Sequence, residues 1–355
     1  EISTFKKNMI YNNSYLNHKK IQSFNFLGLF IMKICIIGAN GMVGKKLVKK
    51  ILSSDLDQAQ IKKVCLFDIN LNKKNLPRVT HIKGNLEDLT QIRKLASERF
   101  DIIFHLAAIV SGEAEENFEK GWNVNLFSMW HLLIALKTEH MSSSNTYIPK
   151  LIFTSSIAVF GAPFPNKIDD EFLCSPQTSY GAQKASAELL ISDFSRKGYI
   201  DGISLRLPTI CVRPGLPNKA ASGFFSNIIR EPLNGQKAFL PVDITVRHWH
   251  ASPRTAADFL FHAAFMDYSL LKNRRSLNLP GVSCTVEEQI EALRSVAGQK
   301  VVDLIIFKKD ENIEKMVSGW PKNFFPKKAL ELGFKAENNF EEIINIHITD
   351  ELVSS

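Results

Sequence analysis

The sequence predicts an α/β protein: a Rossmann-type, doubly wound parallel sheet with a smaller mixed carboxy-terminal substrate lobe. Three observations predict it. Short apolar, β-branched runs alternate with helical segments from Met32 onward, a glycine-rich loop joins the first run to the first helix, and an acid closes the second run. Alternation at this spacing builds right-handed strand–helix–strand units around a parallel sheet buried on both faces.

Residues 34–37 (Ile-Cys-Ile-Ile) form an apolar run ending in glycine, which reads as a buried parallel strand. Over 43–52, Val43, Leu47, Val48 and Ile51 share one helical face. The next strand is 64–67, closed by Asp68. A helix over 86–95, a strand over 102–106 and a long helix over 122–136 follow. Strand 151–154, helix 180–194 and strand 203–207 complete the pattern. After Pro208 the regularity fades, and Pro214, Pro217, Pro232, Pro241 and Pro253 punctuate the remainder. The expected organisation is a non-core extension over 1–31 and a dinucleotide-binding domain over 32–207. The stretch 208–355 is read mainly as a substrate-binding lobe, with segments returning to the first domain.

With 355 residues and 45% hydrophobic content, the chain can bury a sizeable core, which excludes a disordered or collagen-like polymer. No uncharged apolar run reaches the 18 or so residues a membrane span needs. Cys35, Cys65, Cys174, Cys211 and Cys284 show no paired spacing, so neither a zinc cluster nor a disulfide framework is expected, and a reducing, cytoplasmic setting is. Of the net charge of +8, residues 1–31 carry +3, through Lys6, Lys7, Lys19 and Lys20 against Glu1. Beyond the helix carrying Lys45, Lys46, Lys49 and Lys50 there is no basic stripe with stacking aromatics, so no nucleic-acid partner is expected. The apolar patch at 24–31 runs directly into Met32, and a signal peptide cleaved there would remove the first strand. Met32 therefore reads as the natural start.

Gly38-Ala39-Asn40-Gly41-Met42-Val43-Gly44 lies between the first strand and the first helix, the context a dinucleotide-binding loop requires. The helix N-terminus there offers oriented N–H donors to a pyrophosphate. Asp68, 24 residues past Gly44, is placed to accept the hydroxyls of the adenosine ribose. It also disfavours a 2′-phosphate, since like charges about 4 Å apart cost roughly 4 kcal/mol at an effective dielectric near 20. Lys45 and Lys46 could offset such a phosphate, but Asp68 selects NAD over NADP.

Tyr180-Gly181-Ala182-Gln183-Lys184 sets a phenol and an ammonium four residues apart on one helical face. A tyrosine near pKa 10 is a poor base at pH 7, and an adjacent ammonium together with a positive nicotinamide would favour the phenolate. Thr154-Ser155-Ser156 ends a strand, where sheet topology gathers active-site groups, and Ser156 could hydrogen-bond the oxygen that Tyr180 deprotonates.

These pieces resemble the extended short-chain dehydrogenase/reductase family, part of the NAD-dependent epimerase/dehydratase superfamily. The matching segments also include His105-Leu106-Ala107-Ala108, Asn125 and 157–161 (Ile-Ala-Val-Phe-Gly). The resemblance implies a Ser156, Tyr180, Lys184 catalytic trio, hydride transfer to or from a nicotinamide, and often a homodimer through a helix bundle. It implies NAD contacts from Gly38, Asn40, Gly41, Met42, Val43, Gly44, Asp68, Asn85, Leu86, Leu106, Ala107, Ala108, Asn125, Tyr180, Lys184 and Pro208. Asn125 matches a helix asparagine that holds a water-linked path to the lysine. Two residues depart from the pattern: Ile37 replaces a frequent Thr, and Asn85 replaces the Asp that contacts adenine. A closer resemblance, over nearly all of 32–350, is to a branch that oxidises C2 of a four-carbon aldonate. It rests on 206–215 (Arg-Leu-Pro-Thr-Ile-Cys-Val-Arg-Pro-Gly), Trp249, 252–254 and 319–321, among other stretches.

A small sugar-acid substrate needs a cation. Arg213, just past Pro208, suits a carboxylate through two parallel hydrogen bonds, while Arg247 and Arg254 remain alternatives. Ser111, Thr209, Ser156 and Tyr180 are the other candidate substrate contacts. His105 reads as a packed sheet residue, and Trp249 as either a pocket wall or core. Glu113, Glu115, Glu116 and Glu119 read as a solvated helix start. His248 and His250 lack a third ligand, so no metal site is expected. The competing functions are a nucleotide-sugar epimerase or dehydratase with tightly held NAD, and a non-catalytic dinucleotide sensor. The sensor would be expected to lose the Tyr/Lys pair that is present here.

Overall fold

The computed structural model describes residues 32–54, 61–71, 76–215 and 222–353; the extension 1–31 and Pro217 lie outside the described residues. Six strands lead the chain: β1 (Met32–Ile37), β2 (Ile61–Asp68), β3 (Val79–Lys83), β4 (Ile102–His105), β5 (Lys150–Ser156) and β6 (Asp201–Leu207). Six short ones follow: β7 (Thr209–Ile210), β8 (Ala238–Leu240), β9 (Arg247–Ala251), β10 (Ser276–Asn278), β11 (Val282–Thr285) and β12 (Ile305–Phe307). The main sheet is seven-stranded, in the order β10-β6-β5-β4-β1-β2-β3, and every pairing is parallel. Strand order reverses between β1 and β4, so a crevice opens beyond their carboxyl ends, where open α/β sheets take ligands.

Alternation along β1 shows why the sheet needs cover on both faces. Ile34 and Ile36 pack with Leu47 and Ile51 of helix α1 (Met42–Leu52), whereas Cys35 and Ile37 join the opposite core. That second core draws on Ile92 and Leu95 of α2 (Leu89–Ser97) and on two later helices. Cys35 and Cys65, 30 residues apart in sequence, sit directly across β1 and β2 as buried free thiols.

Four elements differ from the sequence reading. Strand β3 was not anticipated, because Val-Thr-His-Ile-Lys forms a half-exposed edge without a buried run. Helix α2 starts at Leu89 because the Asp88 carboxylate caps it, accepting from the N–H groups of Thr90 and Gln91. Strand β4 stops at His105, as the chain turns to pass Gly38. The long helix over 122–136 is instead a series: α3 (Ser111–Glu116), α4 (Phe118–Trp122), a π-helical turn (Asn123–Phe127) and α5 (Ser128–Ser142). A π turn adds a residue to the helical repeat and turns Asn125 inward, where it is buried.

Beyond β6 the chain divides its work. Strand β10 extends the main sheet beside β6, and helix α8 (Pro253–Phe265), which follows α6 (Ser179–Arg196) and α7 (Gly223–Leu233), packs against the α1 side of that sheet. The remaining strands form a separate three-stranded sheet, β11-β9-β7, and a two-stranded one, β12-β8. Phe224, Phe225, Ile228 and Ile229 of α7 give this lobe its own core.

Candidate active site

The glycine loop is built to a tolerance that glycine alone meets. Gly38 has φ +85°, and a Cβ there would lie 2.6 Å from the Ala107 nitrogen. A Cβ on Gly44 would lie 2.4 Å from the Gly38 carbonyl oxygen. Gly41 precedes α1, and no side chain caps the helix, so its first N–H groups stay available to a ligand. The Asp68 carboxylate faces the same loop, accepting from the N–H of Asn40 at 2.9 Å and of Asn70 at 3.0 Å. Lys46 is committed elsewhere, bound to Asp350 at 3.0 Å and to Glu351. It is thereby removed as the counter-charge a 2′-phosphate would need. The bare helix terminus, the close-fitting glycines and the carboxylate together suit an NAD pyrophosphate and ribose.

The rest of the expected NAD-facing set divides. Leu106 and Ala107 both donate to the Ile37 carbonyl, folding the strand end around the crevice. Leu86 and Pro208 are buried. Asn85 serves its own turn, its side-chain oxygen accepting from the Glu87 N–H at 3.1 Å. Asn125 clasps the backbone of Ile109 through both its N–H and its carbonyl, and donates to Gln183 Oε1 at 2.7 Å. That clamp ties the loop after β4 to helix α6.

Helix α6 begins with a Thr178 cap one turn before Gly181, and Glu115 accepts from the Ser179 N–H at 2.6 Å. Glu115 therefore anchors the helix that carries Tyr180, and does not simply face solvent. One turn on, Lys184 is 1% exposed; its Nζ donates to the Thr154 carbonyl at 2.9 Å and lies 5.5 Å from the Tyr180 ring centroid. Burial pushes Lys184 down to about 7, and Glu188 opposes the shift. Burial pushes Tyr180 up to about 12, opposed by the Arg213 guanidinium and by a hydrogen bond with Ser156. Arg213 thus acts on the phenol alongside Lys184, which stands over the Tyr180 ring.

Beneath these groups runs a buried network that the sequence did not disclose. Arg206 binds Glu188 through Nε at 3.0 and 3.1 Å and through a terminal nitrogen at 2.7 Å. It also reaches Asn278 at 3.2 Å, and Ser155 donates to Glu188. The network fastens the end of β5, which carries Ser156, to α6, which carries Tyr180 and Lys184. Both ring nitrogens of buried His105 lack a partner among the described residues, and burial beside Lys184 drives this group down to about 3.

Across the crevice stand the candidate substrate contacts. Arg247 is paired with Glu288 at 3.1 Å, and Arg254 with Asp350, so neither alternative guanidinium is free. Arg213 donates to the Ile210 carbonyl at 3.0 Å and the Ser222 hydroxyl at 2.8 Å, and forms no ion pair among the described residues. Thr209 is half-buried beside it and hydrogen-bonded to His248 at 2.6 Å. Ser111 opens α3, half-buried. Trp249 is core, donating to the Leu279 carbonyl at 3.2 Å and packing against Phe324.

The chain is similar to several known proteins. Residues 34–261 match the NAD dependent epimerase/dehydratase family. The chain is 40% identical to D-erythronate dehydrogenase of Haemophilus influenzae, over 88% of this chain and 98% of that one. It is also 40% identical to the D-erythronate dehydrogenase of Cupriavidus necator, over 90% and 98%. Among solved structures, a protein described as the nucleoside-diphosphate-sugar epimerase from Agrobacterium tumefaciens is 51% identical, with a TM-score of 0.87 over 93% of this chain and 97% of that one. L-threonine dehydrogenase from Clostridium difficile shares the fold at 21% identity, with a TM-score of 0.77 over 90% and 97%.

Proposed function

The chain belongs to the NAD dependent epimerase/dehydratase family, and we propose that within it this NAD-dependent dehydrogenase oxidises the C2 hydroxyl of a small aldonic acid, D-erythronate or a close relative, to the 2-oxo acid. The observation that carries this reading is Arg213: a guanidinium with no carboxylate partner among the described residues, whose charge opposes the upward shift of the Tyr180 phenol. A cation so near the base suits a carboxylate one bond from the reacting carbon. In a nucleotide sugar the diphosphate is separated from the reacting ring carbon, and that arrangement would not require a cation beside the phenol.

In this mechanism Arg213 holds the carboxylate and Ser156 hydrogen-bonds the C2 hydroxyl oxygen. Tyr180 then accepts the hydroxyl proton. Lys184, held by the Thr154 carbonyl beside the Tyr180 ring, would hold the nicotinamide ribose and, when protonated, add positive charge near the phenol. Gly38, Gly41, Gly44 and Asp68 hold the dinucleotide. Bound NAD supplies the acceptor for the C2 hydride and a positive ring that favours the phenolate.

Residues 32–207 act as the dinucleotide-binding domain, with most of the substrate contacts supplied from beyond Pro208. The working unit proposed is a homodimer, in keeping with the exposed apolar row of Phe127, Trp130 and Ile134 on one helix and Leu189 on α6. No helix among the described residues is long and apolar enough to cross a membrane. The described free thiols suit a reducing cytoplasm.

Tyr180→Phe tests the mechanism. Turnover should fall by roughly 100- to 10,000-fold, the range of general acid–base contributions. NADH affinity, read by fluorescence titration, should stay within a factor of a few. Undiminished turnover would remove Tyr180 from the chemistry.

A further inference from the structure

Strand β9 places His248 behind Thr209, and the ring's two hydrogen bonds have opposite senses. His248 Nδ1 lies 2.8 Å from the Pro321 carbonyl oxygen. A carbonyl can only accept, so Nδ1 carries the proton. Burial holds the imidazole neutral, at about 4, with Arg213 adding to the shift. Its Nε2 is therefore a bare lone pair. That lone pair faces Thr209 Oγ1 at 2.6 Å, so the threonine hydroxyl must donate to it. The ring is 2% exposed and is fixed by stacking on Phe225 at 5.2 Å and by Trp320 at 5.3 Å, so it cannot turn to reverse this polarity. With its proton given to His248, the Thr209 hydroxyl has only lone pairs to offer a ligand. Arg213 acts electrostatically on both His248 and Tyr180, and it donates to the carbonyl of Ile210, the chain neighbour of Thr209.

We propose that His248 is a specificity-determining positioning residue: it turns Thr209 into an obligate acceptor, which selects substrates that present a hydroxyl donor beyond C2. The inference rests on the aldonate reading and deepens it. The ligand class it defines is a 2-hydroxy acid bearing a further hydroxyl, in preference to its deoxy analogue. A site with a buried lone pair committed to a substrate O–H rejects a ligand lacking that group, because the acceptor is then stranded. If the Thr209 hydroxyl were free to rotate, it could donate or accept, and would discriminate less.

The test compares kcat/KM for 2,3,4-trihydroxybutanoate with its 3-deoxy and 4-deoxy analogues, followed by NADH absorbance. Wild type should prefer the trihydroxy acid over at least one analogue by roughly 10- to 100-fold, the cost of an unmet buried polar group. Thr209→Ser keeps the hydroxyl and should keep the preference, whereas Thr209→Val should bring it near unity. His248→Asn retains a donor for the Pro321 carbonyl but removes the Nε2 acceptor, and should also collapse the preference. His248→Gln can present an amide oxygen near the Nε2 position and should restore part of it. NADH affinity, which depends on the other wall, should change little across the series, which separates positioning from a general loss of fold. A His248→Asn enzyme that discriminates like wild type would overturn the inference while leaving the aldonate reading intact, as would a Thr209→Val enzyme that does so. Failure of wild type to oxidise any of the three acids would overturn both.

Discussion

The two walls of the crevice are made by different means. The dinucleotide wall is mostly backbone: a strand, a glycine turn, an uncapped helix start and one carboxylate closing the next strand. All of it comes from residues 32–68, and its demands fall on main-chain conformation and close approach. The substrate wall is mostly side chains: Arg213, Thr209 and His248, held by Ser222, Ile210 and Pro321. These and the groups that hold them are gathered from segments spread over residues 209–321. A backbone-built wall tolerates side-chain variety but not an added Cβ, whereas a side-chain-built wall can change its ligand by single substitutions.

That contrast sets the expected sizes of effect. The largest belongs to Gly44→Ala, whose new Cβ would meet the Gly38 carbonyl at 2.4 Å and force the loop outward. NAD affinity should fall on the order of 100-fold, as a displacement near 1 Å can cost that much. Isothermal titration checks it, and unchanged affinity would mean the loop does not carry the pyrophosphate. Next is Arg213→Met, which should raise KM for the acid by roughly 10- to 100-fold through loss of a charge-assisted two-point contact. NADH affinity should not move, and steady-state kinetics with fluorescence titration would detect a blurred boundary between the walls.

The last effect is on stability rather than on binding, and it crosses both walls. His105, His248 and His250 are buried neutral, at about 3, about 4 and well below the ordinary value. Their folded values lie beneath the unfolded value near 6.5, so as pH falls below 6.5 the unfolded chain takes up protons that the folded one refuses. Stability contributed by each is lost toward pH 4, at about 1.4 kcal/mol per pH unit per histidine. Urea unfolding at pH 7, 6 and 5 should show that decline, with a shallower slope in His248→Asn. A flat profile would mean these rings are not buried neutral.

How much was legible in the sequence follows the same division. Gly38, Gly44 and Asp68 declared themselves because a tight turn and a strand-end acid leave few residue choices. Tyr180 and Lys184 were legible because helical spacing fixes their shared face. Edge strand β3 was not, since half-exposed Val79 to Lys83 show no apolar run. Glu188 and Arg206 read as ordinary charges until β5, β6 and α6 brought them together as a buried pair. His248 carried no local signal at all, because its meaning depends on which atoms Pro321 and Thr209 present to its two nitrogens. The exclusion of Arg247 and Arg254 likewise required seeing their carboxylates. Pairing information of that kind is tertiary, and single-sequence periodicity does not contain it.

The central claim is that the Arg213 guanidinium, which forms no ion pair among the described residues, acts with a buried phenol to select a small hydroxy acid for oxidation. The most direct measurement is NADH formation at 340 nm with purified protein, NAD and a panel of four- to six-carbon aldonic acids, alongside a nucleotide-sugar control. The account predicts net NADH from a short aldonate, D-erythronate foremost, and none from the nucleotide sugar. Conversion of the nucleotide sugar, with no acid oxidised, would contradict it.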